Sequence, residues 1–361
     1  MGHHDLPAGL AEYYHQAQQA LTPSLAAYFL GGAGAEATVA DNEGAFEIAR
    51  VVPRHLRDLR QGSTAVDLLG ERYDTPILVA PFAYQKLLHN DSERGTAQGA
   101  AAQSIPMVLS AQSSTSLKSV RDAAPETHWF QLYWLANRDA TLALAHRALK
   151  AGYTRLILTI DAPVQGVRDR EIASGFSLPA NIHAVNLVGL PQPVLPPLSE
   201  GQSAIFDGIA RILPRWEDVA WLCNQLPVPV ILKGILHPDD ARMAQQVGAA
   251  GIIVSNHGGR VLDRAPSSLS MLSDVVGAVG PDYPVLFDGG IRRGVDVLIA
   301  LALGASAVLV GRPALCGLTV GGAVGVSHVL RLLRDELEIA MLLTGCRTIT
   351  DITPKVVHLN R

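Results

Sequence analysis

Residues Pro284 to Pro313 read PVLFDGGIRRGVDVLIALALGASAVLVGRP, and this stretch decides the fold. It opens with an apolar run, Pro284 to Phe287, that shows almost no polar alternation. Such runs suit a strand of a parallel sheet, buried on both faces. The run stops at Asp288-Gly289-Gly290. Val295 to Leu303 then carries apolar residues at helical spacing, and a second apolar run, Ser306 to Val310, stops at Gly311-Arg312-Pro313. Strand, helix and strand in that order make one βαβ unit.

Upstream the same unit recurs. Short apolar runs lie at Ile77–Ala80, Met107–Leu109, His128–Leu132, Arg155–Ile160, Pro229–Leu232 and Gly251–Val254. Helix-like segments such as Asp139–Lys150 and Pro238–Val247 separate most of them. With the two runs above, eight strands alternate with helices from residue 77 onward, which predicts an α/β chain folded as a (β/α)8 TIM barrel. A doubly wound sheet is the alternative, but no GxGxxG follows the first strand. Residues 1–76 read as an N-terminal segment of helices and a β-turn packed over one end. The barrel is expected over 77–345, a C-terminal tail over 346–361, and one domain over 1–361. Between the fourth and fifth strands, about 178–214, the chain is rich in Pro and Gly and weakly periodic. That suits a lid loop, with simple disorder as the plainer alternative.

Composition narrows the function. Hydrophobic residues make up 48% and charged residues 17%, which suits a large buried core rather than a disordered chain. The formal net charge is -4 and no basic block stands out, so a nucleic-acid partner is disfavoured. Cys223, Cys316 and Cys346 form no CxxC pair, so neither a zinc site nor a disulfide framework is expected. They read as reduced thiols of a cytoplasmic protein. The N-terminus lacks a basic region followed by an apolar run, so no secretory signal is expected. The most apolar stretch, Val297 to Val310, is too short to span a bilayer, and no membrane partner is expected.

Position carries the functional argument. Each proposed strand ends in a polar or small residue. In order these are Pro81-Phe82-Ala83, Ser110, Gln131 with Tyr133, Thr159 with Asp161, Lys233, Ser255 with His257, Asp288-Gly289-Gly290, and Gly311-Arg312. Catalytic groups of this fold sit at the C-terminal ends of the strands, and the loops after strands seven and eight hold phosphate. There, glycines let backbone N–H groups approach a phosphate, and Arg292 or Arg312 supplies charge. Lys233 could be a Schiff-base nucleophile, a phosphate ligand or a charge partner for a cofactor. His257, between Asn256 and two glycines, suits general-base work, and Asp161 could orient it. Arg260 and Arg168 could hold one carboxylate between them.

Taken together, SNHGGR (255–260) with Leu262-Asp263, DGGIRRGVDV (288–297), LALGASAVLVGRP (301–313), WFQLYW (129–134), LTIDAP (158–163) and LKGI (232–235) resemble the FMN-dependent 2-hydroxy-acid oxidase and dehydrogenase family. Glycolate, lactate and hydroxymandelate oxidases and the flavocytochrome lactate dehydrogenases belong to it, and bacterial lactate-oxidase-like members look most similar. The resemblance runs from about Tyr13 to the C-terminal region and keeps the order of every motif. It implies FMN as cofactor and His257 as the base, with Asp161 stabilising the protonated histidine. It implies Arg168 and Arg260 on the substrate carboxylate, and Tyr28 and Tyr133 on the substrate. Lys233 would face the flavin N1–O2 edge. Pro81, Phe82, Ala83, Ser110, Gln131, Thr159 and Ser255 would contact the flavin ring. Asp288, Gly290, Arg292, Gly311 and Arg312 would hold the ribityl chain and phosphate. No metal is expected. The implied partners are a small L-2-hydroxy acid and oxygen, with hydrogen peroxide as product, in a homotetramer. A quinone or another acceptor, or an aromatic mandelate-like acid, are the alternatives. Phe82 stands where many members carry a smaller residue such as Thr, and Gln112 where plant glycolate oxidases carry Trp, so the substrate tail is left open. Two rival readings are an FMN barrel isomerase without net redox chemistry and an inactive barrel that binds a phosphorylated ligand.

Overall fold

The computed structural model describes residues 6–126 and 128–359. Residues 1–5 and 360–361, at the ends of the expected terminal segments, lie outside the described residues, as does Thr127.

Eight parallel strands form one sheet. They are β1 (Ile77–Val79), β2 (Val108–Ser110), β3 (Trp129–Tyr133), β4 (Arg155–Thr159), β5 (Val230–Ile235), β6 (Gly251–Val254), β7 (Val285–Asp288) and β8 (Ala307–Val310). The hydrogen-bonded order runs β1-β8-β7-β6-β5-β4-β3-β2. A parallel bridge between Val79 and Met107 joins β1 back to β2 and closes the barrel. The expected (β/α)8 barrel is therefore the fold, and each apolar run read from sequence became a strand within three residues of its expected ends.

Alternation along each strand sorts the side chains into two cores. Leu78, Val108, Trp129, Ile157, Ile231, Ile253, Leu286, Ala307 and Leu309 form one cluster, which fills the barrel. Leu68 and Tyr73, from a hairpin of strands Val66–Leu68 and Glu71–Tyr73, join that cluster and plug the end away from the site. Trp129 Nε1 donates to Tyr73 Oη at 3.2 Å, so the plug is bonded as well as packed. The intervening residues, among them Phe130, Leu132, Leu156, Leu158, Ile252 and Val254, belong to a second cluster shared with the surrounding helices. Trp129 is fully buried; truncating such a side chain to Ala costs about 3–5 kcal/mol.

The termini bind the barrel from outside. Strand Ala49–Val51 pairs antiparallel with strand Val357–Leu359. Helix Pro23–Leu30 starts on a Thr22 cap, whose Oγ1 accepts from Leu25 N–H at 3.3 Å, with Pro23 in its first turn. Helix Arg312–Thr344 is long and apolar enough to cross a membrane by composition, the one such helix among the described residues. It is broken at Gly321 and Gly322, packs against helices Leu10–Ala20 and Ser92–Ala101, and buries Leu318, Val326, Val329, Leu330, Leu333 and Leu337.

Between β4 and β5, the tract expected as a lid holds only the short turns Val185–Leu187, Ala204–Gly208 and Ile209–Arg211. It is anchored at buried Asn186. The Asn186 Oδ1 accepts from Leu117 N–H at 3.0 Å, and its carbonyl accepts from Arg147 Nη1 at 2.6 Å.

Candidate active site

The inward-facing positions continue past the apolar layers as a polar ring. Two residues beyond Val108, Trp129, Ile157, Ile231, Ile253 and Leu286 stand Ser110, Gln131, Thr159, Lys233, Ser255 and Asp288. Two residues further along β3, β4 and β6 come Tyr133, Asp161 and His257. The register that buries the apolar layers thus aims the polar residues at one cavity at the C-terminal end of the barrel. That cavity is about 750 Å3, within the usual range for small-molecule sites. Pro81, Phe82, Ala83, Tyr28, Arg168, Arg260, Gly290, Arg292, Gly311 and Arg312 line it together with Ser110, Gln131, Tyr133, Thr159, Lys233, His257 and Asp288. Asp161 and Ser255 stand just behind this lining, bonded to His257 and Lys233 respectively.

The proton-handling pair is direct. His257 Nδ1 lies 2.8 Å from Asp161 Oδ1. A carboxylate only accepts, so Nδ1 carries the proton and Nε2 is the nitrogen left to take another. Burial alone would raise the Asp161 carboxyl, but the His257 contact and Lys233 outweigh it and hold the group below the usual carboxylate range. His257 has φ +59, a left-handed conformation costly for a residue with a Cβ. The neighbours fix it there. Ser255 Oγ accepts from His257 N–H at 3.0 Å, and Asn256 exchanges side-chain amide bonds with Asn42 at 2.8 and 2.9 Å.

Lys233 is buried. Its Nζ donates to Ser255 Oγ at 2.7 Å and lies 3.0 Å from Asp288 Oδ2. Burial would depress the amine, but Asp288 and Asp161 outweigh it, and Lys233 stays cationic above its ordinary range. Ser110, Gln131 and Thr159 form a chain: Ser110 Oγ donates to Gln131 Oε1 at 3.2 Å, and Gln131 Nε2 to Thr159 Oγ1 at 2.9 Å.

A cationic arm faces this group. Arg260 Nη1 and Arg312 Nη2 both donate to the Gly31 carbonyl, at 3.0 and 2.9 Å. Arg312 Nη1 also donates to Gly258 O at 3.1 Å. Arg168 Nε donates to Arg260 O at 3.1 Å, and its Nη1 pairs with Glu171 Oε2 at 3.1 Å. Burial, then the Arg168 and Arg312 guanidiniums, push Arg260 down to about 9; positive charge is in excess here, and a bound anion relieves it. Tyr28 lies under Arg260, 5.5 Å from guanidinium carbon to ring centroid, and stacks on Phe176 at 4.3 Å. Burial pushes its phenol up to about 12, so the hydroxyl keeps its proton. Arg292 Nη2 pairs with Glu43 Oε1 at 2.5 Å, at the cavity edge beside the β7 loop.

Known proteins are similar to this chain in sequence and fold. The FMN-dependent dehydrogenase family profile matches residues 17–359. The chain belongs to the FMN-dependent dehydrogenase family. It is 49% identical over 352 residues to an L-lactate oxidase of Roseobacter sp. (strain GAI101), across 98% of this chain and 95% of that one. To a 4-hydroxymandelate oxidase of Amycolatopsis orientalis it is 42% identical over 342 residues, across 94% and 95% of the two chains. A solved structure of mandelate oxidase with benzoyl-formic acid superposes with a TM-score of 0.88 at 39% identity, covering 98% of each chain.

The family's cofactor is FMN, and the residues present fit it. Among the described residues, five buried side-chain polar atoms lack a hydrogen-bond partner, and three of them, Asp161 Oδ2, Asp288 Oδ1 and Arg312 Nε, belong to this site. Asp288 Oδ1 is an acceptor suited to a hydroxyl, and Arg312 Nε a donor suited to a phosphate. Gly290, with φ +82, sits where a Cβ would fall on the Asn42 carbonyl, so only glycine fits this turn at the cavity wall.

Several cavity groups escaped the sequence reading. Glu171 pairs with Arg168, Phe176 stacks on Tyr28, and Tyr84, Leu135 and Leu187 line the wall. The Gly31 carbonyl that gathers Arg260 and Arg312 left no signal, because a backbone acceptor has no residue signature.

Proposed function

We propose that the protein oxidises a small L-2-hydroxy acid, L-lactate or a close relative, to the 2-oxo acid, with oxygen as acceptor and hydrogen peroxide as second product. The observation that carries this reading is one cavity combining a carboxylate-backed histidine with two arginines beside it. That combination suits a substrate that must be gripped by its carboxylate and deprotonated one carbon away. An isomerase without net redox chemistry has no need of the paired arginines. An inactive binding protein has no need of the strained His257.

Each residue has a part. Arg168 and Arg260 bind and orient the substrate carboxylate by charge-assisted hydrogen bonds. The hydroxyls of Tyr28 and Tyr133 hold the substrate in register with His257. His257 Nε2 accepts a proton from the substrate, and Asp161 stabilises the imidazolium that results. Lys233 supplies fixed positive charge at the barrel end of the cavity, aimed at charge that develops in the reaction. Pro81, Phe82, Ala83, Ser110, Gln131 and Thr159 would hold the flavin ring, with Ser255 behind them bonded to Lys233, and Asp288, Gly290, Arg292, Gly311 and Arg312 would hold its ribityl chain and phosphate. When bound, FMN supplies a two-electron acceptor that oxygen can restore.

The relatives' activities, L-lactate oxidase and 4-hydroxymandelate oxidase, bracket the substrate tail. Phe82, Tyr84 and Phe176 in the cavity wall favour an aromatic acid as the second reading. The test is a panel of L-lactate, glycolate, longer aliphatic acids and L-mandelate under air, read by peroxide and 2-oxo acid. Peroxide equal to the 2-oxo acid formed, highest with L-lactate, is expected. A 2-oxo acid formed only when a quinone replaces oxygen would overturn the oxidase assignment, and highest turnover with L-mandelate would favour the aromatic reading.

A further inference from the structure

We infer that Gly234 is a positioning residue for the proton-accepting pair, acting through Asp161. The inference rests on the reading of His257 and Asp161 given above. Asp161 comes after β4 and His257 after β6, so their contact must reach across β5, the strand between them. Gly234 is the residue of β5 that lies under this crossing.

Strand β5 is irregular there. Lys233 pairs with Ile253 and Ile235 with Val254, so the ladder shifts register between Lys233 and Ile235. Two residues of β5 advance against one of β6, and the extra residue is Gly234, with φ +109. A bulge at a barrel rim re-aims the side chains around it. Strict alternation would send Ile235 inward after Lys233, toward the polar ring. With the bulge, Ile235 is instead 1% exposed within the outer core shared with the helices.

The bulge also sets where Asp161 rests. A Cβ on Gly234 would fall onto the Asp161 Cβ, 2.5 Å from its Cγ and 2.8 Å from its Oδ2. Real carbon contacts are nearer to about 3.5–4.0 Å, so any side chain at 234 must drive the carboxylate away by roughly 1 Å. The carboxylate has little freedom to yield. Its side chain is 12% exposed, Oδ1 is bonded to His257, and Oδ2 is buried without a partner on the Gly234 side. A shift of that size takes a 2.8 Å hydrogen bond out of range. The bare Cα of Gly234 is thus the floor that lets Asp161 stand upright under the imidazole.

Three variants of the holoenzyme test this: Gly234→Ala, Asp161→Gly, and the two combined. The readouts are bound FMN per chain, thermal midpoint, and flavin reduction by L-lactate without oxygen. Gly234→Ala is expected to keep FMN and to slow the limiting reduction rate about 100-fold, as misplacement by ~1 Å can. The half-saturating lactate concentration is expected to move by less than about threefold, since the arginines that bind the carboxylate keep their place. The double variant is expected to be no slower than Asp161→Gly alone, because the group Gly234 acts through is gone. If Gly234→Ala fails to fold or to hold FMN, the double variant keeps the strain of a Cβ at φ +109 but loses the clash, and should melt higher and bind more FMN than Gly234→Ala. Three results would overturn the inference: a Gly234→Ala rate within about threefold of wild type, losses that multiply in the double variant, or, where Gly234→Ala fails to fold, a double variant no more stable than Gly234→Ala. A wild-type rate in Asp161→Gly would sink the reading of Asp161 itself, which is a different failure.

Discussion

Asp161 Oδ1 and His257 Nδ1 meet at 2.8 Å although the residues are 96 apart in sequence and follow strands that are not neighbours. The contact fixes the imidazole tautomer, turns Nε2 toward the cavity and places a buried negative charge beside the group that gains a proton. The chemistry assigned to the site depends on it more than on any other single contact.

His257→Gln keeps side-chain volume and polarity but removes the basic nitrogen. The variant is expected to bind FMN normally and to lose about 10²–10⁴-fold in the rate of flavin reduction by substrate, the range that general-base catalysis supplies. Rapid-mixing absorbance without oxygen measures it.

Tyr28 is a neutral phenol throughout the working range, because burial lifts it to about 12. The raised value means the proton leaves only above that pH. Tyr28→Phe should therefore weaken substrate binding by a factor that stays constant from about pH 6 to 10. One lost hydrogen bond is about 0.5–1.5 kcal/mol, or roughly 2- to 13-fold in KM. Wild-type KM rising toward that of the variant near pH 10 would show the phenol titrating early, against the structure.

Arg312 has a buried Nε without a partner and two donors spent on Gly31 and Gly258. Arg312→Met should raise the FMN dissociation constant by about 10- to 150-fold, since hydrogen bonds to charged groups contribute about 1.5–3 kcal/mol. Arg312→Lys keeps the charge but loses the fork, and is expected to fall between. Fluorescence recovery of FMN on dilution measures both.

Much of the fold and site was legible in the sequence because the barrel repeats one pattern. Apolar runs such as Gly251–Val254 are strands buried on both faces, and the residues immediately after such a run, here Ser255 to Arg260, must sit at the site end. Parity then places Lys233 two residues beyond Ile231 with no further information. The less legible part depends on contacts between distant segments. Arg260 meets the Gly31 carbonyl 229 residues away, and Asn42 locks Asn256 across 214. Glu171 is one acid among several in the sequence, and only the packing of Arg168 against Arg260 O shows that it lines the cavity. Gly234 was hidden because the apolar run ends at Leu232, which puts the glycine in an ordinary turn, whereas the strand continues to Ile235. The group that approaches it, Asp161, required the neighbouring strand. The tract after β4 has no periodicity, and it is anchored around Asn186, which sequence does not distinguish from a loop asparagine.

The most direct test of the central claim is to add L-lactate to the purified holoprotein without oxygen and follow the yellow flavin absorbance. Complete bleaching at about one lactate per FMN, with pyruvate formed in equal amount and the colour restored on admitting air, is the predicted result. A protein that takes up FMN but is bleached by no 2-hydroxy acid of the panel would contradict the account.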